Sequence, residues 1–246
     1  MTKGLSCIFL ALILAGCGAS DPIEQEAGAD QPVLAGADGA QNVLDDAVPV
    51  MGEEINILAF GNSLFAGYGV DQAESYPARL ESALRAKGIN ARIANAGVSG
   101  DTTAAGLQRL AFTLNGQEQT PDLVIIELGG NDLLRGQSPD LTRSNIDGML
   151  KELQSRGIDA MLMGMRAPPN AGPEFQAAFD GLYGELAAQY DADLVPFFLE
   201  SIYQSPELFQ DDKIHPTAEG IEQLVEATLD EVIGALPKGA KESEGG

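Results

Sequence analysis

The chain has one histidine, His215, standing three residues after Asp212 in the polar stretch Asp211-Asp212-Lys213-Ile214-His215-Pro216. A carboxylate at that spacing can accept the Nδ1 proton and fix the tautomer that leaves Nε2 free to act as a base. Asp211 is a competing partner, and spacing does not choose between the two. A base needs something to deprotonate. The apolar run Ile55 to Phe60 breaks at Gly61 and delivers Ser63 where the backbone turns, in Gly61-Asn62-Ser63-Leu64. A serine just past a central strand is where an α/β enzyme holds a nucleophile, although an ordinary strand-to-helix loop has the same look. The weight therefore falls on the elements that would bring Ser63 and His215 together.

Five apolar runs have strand length: Ile55–Phe60, Ala91–Ala96, Leu123–Leu128, Ile158–Met163 and Ala192–Phe197. Helical periodicity fills the intervals, over 75–87 (a Ser75 cap signal, Pro77 in the first turn, Gly88 at the close) and near 101–113, 140–155 and 174–190. In the last segment Ile221, Leu224, Val225, Leu229, Val232, Ile233 and Leu236 recur at helical spacing after Pro216-Thr217. Repeated strand–helix alternation predicts an α/β fold: a three-layer, flavodoxin-like α/β/α domain over 55–237, with a parallel sheet of about five strands. In such a sheet, ligands bind beyond the carboxyl ends of the strands. The residues that follow those ends are Gly61-Asn62-Ser63-Leu64, then Asn95 through Thr103, then Gly129-Gly130-Asn131-Asp132, and finally the Asp211–Pro216 stretch. Nucleophile, glycine turns, amide and Asp/His pair are all predicted to meet at one edge.

These blocks, with Gly100 in the second, resemble the four conserved blocks of the SGNH (GDSL-type) hydrolases. The stretch Asn95 to Leu107 is especially similar to the branch that holds bacterial multifunctional thioesterase/protease/lysophospholipases and related arylesterases. The resemblance spans roughly residues 55 to 236. It implies Ser63 as nucleophile, His215 as base and Asp212 as the residue that orients it. It also implies an oxyanion hole built from the N–H of Ser63, the N–H of Gly100 and the side-chain amide of Asn131. The implied activity is a serine esterase on carboxylic esters or lysophospholipids. A carbohydrate O-acetyl esterase, or a lipid-tethered binding protein that has lost chemistry, would share the fold. Asn62 stands where the family usually has Asp, and no Gly-x-Ser-x-Gly elbow surrounds Ser63. Ser99 is a weaker nucleophile candidate, without a strand-to-helix elbow. Arg166 to Asn170 is either a substrate-side wall, as in the family, or a rigid turn. Tyr68, Leu64 and Phe65 are candidates for an acyl pocket, with Leu64 the one expected in the core. Neither an Asp-x-Asp-x-Asp-Gly loop nor a phosphate-binding glycine motif occurs, so no metal and no cofactor are expected.

The amino-terminal residues have the pattern of an address. Lys3 precedes the apolar stretch Cys7 to Leu14, too short to span a bilayer as a helix. Leu14-Ala15-Gly16-Cys17 resembles a bacterial lipobox, which implies a signal peptide over 1–16 and lipidation of Cys17. Gly18 after the cysteine favours the outer membrane, and the expected location is the cell envelope, periplasmic face. Cys7 would leave with the signal, so no thiol remains for a disulfide or for catalysis. Residues 17–54 read as a lipidated cysteine and an acidic tether, with nine acids and no Lys or Arg from 18 onward. Residues 238–246 read as a polar tail. A net charge of −23 excludes nucleic acid as a partner and excludes docking on anionic lipid through a basic patch. The expected partner is a small-molecule or lipid ester, the membrane is met only through the anchor, and a monomer is expected.

Overall fold

The structure is a computed structural model that describes residues 50 and 52–237. Five strands, β1 (Ile55–Gly61), β2 (Ala91–Gly97), β3 (Leu123–Glu127), β4 (Asp159–Met163) and β5 (Asp193–Val195), form one sheet in the order β2-β1-β3-β4-β5. Every pairing is parallel. The order reverses between β1 and β3, and at such a switch point the loops leaving two neighbouring strands diverge and open a crevice. The predicted α/β fold is the observed one. Described residues in the 1–54 region are few, and the signal, Cys17, most of the tether and the tail over 238–246 lie outside them. At the end of that region, Glu54 pairs with Arg92 at 3.3 Å and the Gly52 carbonyl accepts from Asn90, so these residues lie against the domain.

Seven α-helices complete the layers among the described residues: α1 (Ser63–Ala66), α2 (Tyr76–Ala86), α3 (Thr103–Asn115), α4 (Gly130–Leu134), α5 (Pro139–Arg156), α6 (Pro173–Tyr190) and α7 (Ala218–Ala235). On one face α2 packs on α7, and on the other α5 lies between α3 and α6. Sandwiched between these faces, β1 and β3 are buried almost throughout, which is why they read as unbroken apolar runs rather than alternating ones. β2, on an edge, exposes Arg92, Ala94 and Asn95. The aromatic core beneath the carboxyl edge is a cluster in which Phe65 stacks on Tyr76 at 5.2 Å and meets Phe198 edge-on at 5.8 Å.

Two short helices, α1 and α4, follow β1 and β3 directly and were not expected from periodicity. Each is only a turn long, too short to show a 3.6-residue repeat. β5 is three residues instead of the expected six. Pro196 has no N–H to continue the ladder, and past it the Phe198 N–H returns to the Gly164 carbonyl. Ser75 stands at the amino end of α2 but caps no helix N–H; its hydroxyl donates to the Gln72 carbonyl.

Candidate active site

The strand β1 ends at Gly61, and α1 begins two residues later with Ser63 as its first residue. The first N–H groups of a helix have no partner inside it, so the Ser63 N–H faces outward with the positive end of a short helix. This tight strand-to-helix turn needs room. At Gly97, a Cβ would lie 2.3 Å from the Ala66 nitrogen, so only glycine lets β2 come this close to α1. Asn62 caps the helix, its Oδ1 accepting from the Leu64 N–H at 2.9 Å.

His215 lies in the loop before α7, and its Nε2 stands 2.8 Å from the Ser63 Oγ. Its Nδ1 is 2.6 Å from Asp212 Oδ2. The other Asp212 oxygen, Oδ1, accepts from the backbone N–H of Ile214 at 2.9 Å and of His215 at 3.0 Å. The chain closes this small turn by taking Lys213 into the left-handed region, φ 60°. Together the His215 ring and the two backbone donors hold the Asp212 carboxyl down, from 3.8 to about 2. Asp212 is thus an acceptor across the neutral range, and it fixes His215 as the tautomer with Nδ1–H and a free Nε2. Asp211 is exposed and is not the partner.

The other two strand ends supply donors. Gly100, after β2, has φ +86°, a conformation that favours glycine, and its carbonyl is held by Arg135 Nη2 at 2.8 Å. Asn131, in α4 after β3, donates from Nδ2 to the Asp101 carbonyl at 2.9 Å. One hydrogen of that NH2 group is spent on holding the Gly100–Asp101 turn, and its geometry leaves the second for a ligand. Asp101 in turn is paired with Arg109 Nε at 2.6 Å, and Arg109 Nη2 donates to the Gly61 carbonyl at 2.9 Å. One guanidinium therefore ties the turn after β2 to the turn after β1. Asp132, fully buried, accepts from the N–H and hydroxyl of Thr103 and so anchors α4 to α3.

Several of these connecting residues escape a sequence reading. Gln210 donates from Nε2 both to the Tyr68 carbonyl at 2.7 Å and to the Pro216 carbonyl at 2.8 Å, joining the base loop to the nucleophile loop. Glu127, the last residue of β3, has no exposure, and its carboxylate accepts from Asn62 Nδ2 at 3.1 Å and from the Asn62 N–H at 3.4 Å. Burial drives its carboxyl up, from 4.5 to about 8, against the lowering effect of the Asn62 hydrogen bonds. The one sequence signal for Glu127 is an acid closing the run Leu123–Ile126. Gln210, Arg109 and Arg135 carry no such signal, because their partners lie far along the chain.

Some candidates fall elsewhere. Leu64 and Phe65 do not line a pocket: Phe65 has no exposure and belongs to the aromatic core, and Leu64 is buried beside it. Tyr68 is half exposed, with its ring 4.4 Å from that of His215, so it does flank the site. Ser99 is exposed on the turn after β2, and the chain's one imidazole is on Ser63 instead. The Arg166–Asn170 segment is pinned as a turn, Arg166 pairing with Glu200 at 2.7 Å and the Ala167 N–H donating to Asp180 at 2.7 Å. Among the described residues, no three His, Cys, Asp or Glu side chains come together in a way that could hold a metal ion.

A hydroxyl with an imidazole on it, a carboxylate behind that imidazole and donors fixed on two adjacent turns is an arrangement for attack on a carbonyl. The model of the GDSL-like lipase/acylhydrolase family matches residues 59–222. Esterase TesA of Pseudomonas aeruginosa is 41% identical over 170 residues, covering 69% of this chain and 84% of that protein. An arylesterase of Vibrio mimicus is 38% identical over 180 residues, covering 73% of this chain and 89% of that protein. Among solved structures, AlinE4, an SGNH-hydrolase family esterase, superposes with a TM-score of 0.65 at 64% identity, over 76% of this chain and 99% of that one.

Proposed function

The chain belongs to the GDSL-like lipase/acylhydrolase family and is an SGNH-type hydrolase of ester bonds, and from that premise we propose that Ser63, His215 and Asp212 carry the reaction. The observation behind this reading is the 2.8 Å contact between Ser63 Oγ and His215 Nε2, backed by the 2.6 Å contact between His215 Nδ1 and Asp212.

In the first half-reaction Ser63 Oγ attacks the acyl carbonyl while its proton passes to Nε2. The carbonyl oxygen becomes an anion and accepts hydrogen bonds from the N–H of Ser63, the N–H of Gly100 and Nδ2 of Asn131. Donors held in place before the reaction stabilise that charge without reorganising, and losing one costs about 3–4 kcal/mol in the barrier. Collapse breaks the ester bond, the leaving alkoxide takes the proton from Nε2, and the acyl group stays on Ser63. Water then repeats the sequence, giving up a proton to Nε2 as it attacks, and the acid departs as Ser63 regains its hydrogen. Asp212 stabilises the imidazolium in both halves.

The substrates are aryl and short-chain acyl esters and lysophospholipids. An arylesterase and an esterase stand among the relatives. Tyr68, with its ring 4.4 Å from that of His215, and Ile214, next to His215 in the chain, are both exposed and give the flank of the base an apolar character suited to acyl and aryl groups. Ser63→Ala in the full chain is expected to lower p-nitrophenyl butyrate turnover by about 10⁴-fold or more. Equal rates for wild type and variant would sink the enzyme reading.

The address also belongs to this reading. The chain is lipidated on Cys17 and held in the cell envelope as a monomer, on the periplasmic side of the outer membrane. Support comes from Leu14-Ala15-Gly16-Cys17 after a short apolar stretch. Cys17→Ser should abolish incorporation of labelled fatty acid, and incorporation unchanged in that variant would refute lipidation at this position.

A further inference from the structure

The buried carboxylate at the end of β3 takes no part in the steps above, yet it is one residue's contact away from the nucleophile. We propose that Glu127 is a positioning residue for Ser63, acting through Asn62 by fixing which end of the Asn62 amide faces the nucleophile. This rests on Ser63 being the nucleophile.

An asparagine amide has a donor end and an acceptor end of nearly the same shape, and its surroundings decide the orientation. Here both ends are occupied. Nδ2 donates to Glu127 Oε1 at 3.1 Å, and Oδ1 accepts from the Leu64 N–H at 2.9 Å. Turning the amide over would set NH2 against the Leu64 N–H, uncap α1 and take the Nδ2 donor away from Glu127. The amide oxygen is therefore the end that lies 3.3 Å from Ser63 Oγ. The Ser63 hydroxyl has one proton and two acceptors within reach, Asn62 Oδ1 at 3.3 Å and His215 Nε2 at 2.8 Å. A neutral amide oxygen already engaged by Leu64 competes weakly, and the proton lies toward the base. Glu127 itself is placed by the sheet, in register with Gly61 on β1, so the orienting contact is as rigid as the β1–β3 pairing.

This also accounts for Asn where the family usually has Asp. A carboxylate at 62 would face the Glu127 carboxyl across a dry gap, and two such groups must share a proton. Asn62 donates to Glu127 whether or not that carboxyl is ionised. The remaining groups around Glu127 do not neutralise it. Tyr183 of α6, whose hydroxyl donates to the Leu128 carbonyl, is buried nearby, and burial first, then Glu127, Asp132 and Asp180, push that hydroxyl's pKa up. Arg109 of α3 spends its guanidinium on Asp101, the Gly61 carbonyl and the Phe60 ring.

The test is a set of variants in the full chain, assayed on p-nitrophenyl butyrate with active sites counted by a serine-reactive phosphonate. Glu127→Ala should lower kcat about 10- to 100-fold with KM within about twofold, since a misdirected nucleophile is a loss of orientation rather than of binding. Asn62→Ala should cause a similar loss, and the double variant no further loss, because the two act as one unit. Glu127→Gln, which still offers Nδ2 an oxygen, should recover most of the rate. The proposal is overturned if Glu127→Ala keeps kcat within twofold, or if the two single losses multiply in the double variant. Should Glu127→Ala not fold, the near-isosteric Asn62→Asp decides. Its kcat/KM profile should gain a pH step that wild type lacks and that vanishes in Asn62→Asp with Glu127→Gln; a profile indifferent to Glu127 refutes the coupling. None of these outcomes bears on Ser63→Ala, so a failure here leaves the nucleophile assignment standing.

Discussion

Two carboxylates stand one step behind the reacting pair, and the structure treats them in opposite ways. Asp212 backs the base from a loop, open to solvent, and receives three donors: the His215 ring and the N–H groups of Ile214 and His215. Glu127 backs the nucleophile from the end of a central strand, shut away from solvent, and among the described residues its donors come from Asn62 alone. The first is held down to about 2 by those donors, and the second is pushed up to about 8 by burial. The same functional group thus becomes a fixed negative charge on one side and a largely neutral hydrogen-bond acceptor on the other. The chemistry needs this asymmetry. An imidazolium forms beside Asp212 and is stabilised by a charge. An oxyanion forms beside the Ser63 turn, where a second negative charge would oppose it.

The base side is broken by Asp212→Asn, which keeps the shape and removes the charge. The amide cannot stabilise the imidazolium and permits the wrong tautomer, so kcat on p-nitrophenyl butyrate should fall on the order of 10⁴-fold. Because Asp212 is solvent-exposed, the thermal midpoint should move little. A variant keeping more than about a tenth of the wild-type rate would point to Asp211 as the working partner.

How much of this is visible in the sequence follows the range of the interactions involved. β1 and β3 announce themselves because burial on both faces demands apolar side chains at every position, a local signal. Ser63, Asn131 and His215 could be picked out because the alternation puts each after a strand end, where sheet topology makes them neighbours whatever the detailed packing, while the choice of Gly100 within its turn came from the family resemblance. The Asp212 pairing is local too, three residues from His215, although choosing it over Asp211 required the turn that Lys213 makes at positive φ. What stayed hidden is the second layer: Glu127 on Asn62, Arg109 between two turns, Gln210 between Tyr68 and Pro216. Each joins segments far apart in the chain, and side chains of these types are abundant on any surface. Phe65 errs in the other direction. An aromatic two residues from the nucleophile looks like a pocket wall, but on the one-turn helix α1 its side chain points back into the Tyr76–Phe198 cluster.

The buried side of the comparison can be tested by stability alone, without any assay of rate. In the unfolded chain Glu127 titrates near its ordinary value of 4.5, whereas in the fold it keeps its proton until about 8. Below the first value both states hold the proton and pH has no effect through this group. Between the two values the unfolded chain has released a proton that the folded chain retains, so stability falls as pH rises, and above about 8 the loss is complete. The displacement corresponds to a loss on the order of 5 kcal/mol. Glu127→Gln does not titrate, and its altered packing is a constant offset. Urea unfolding of wild type and variant at about pH 5 and about pH 8 should therefore show wild type losing a few kcal/mol relative to Glu127→Gln over that interval, while the other acids titrate alike in both proteins and cancel. Were the difference between the two proteins the same at both pH values, Glu127 would ionise like any solvated carboxylate, and the contrast with Asp212 would reduce to burial without consequence for charge.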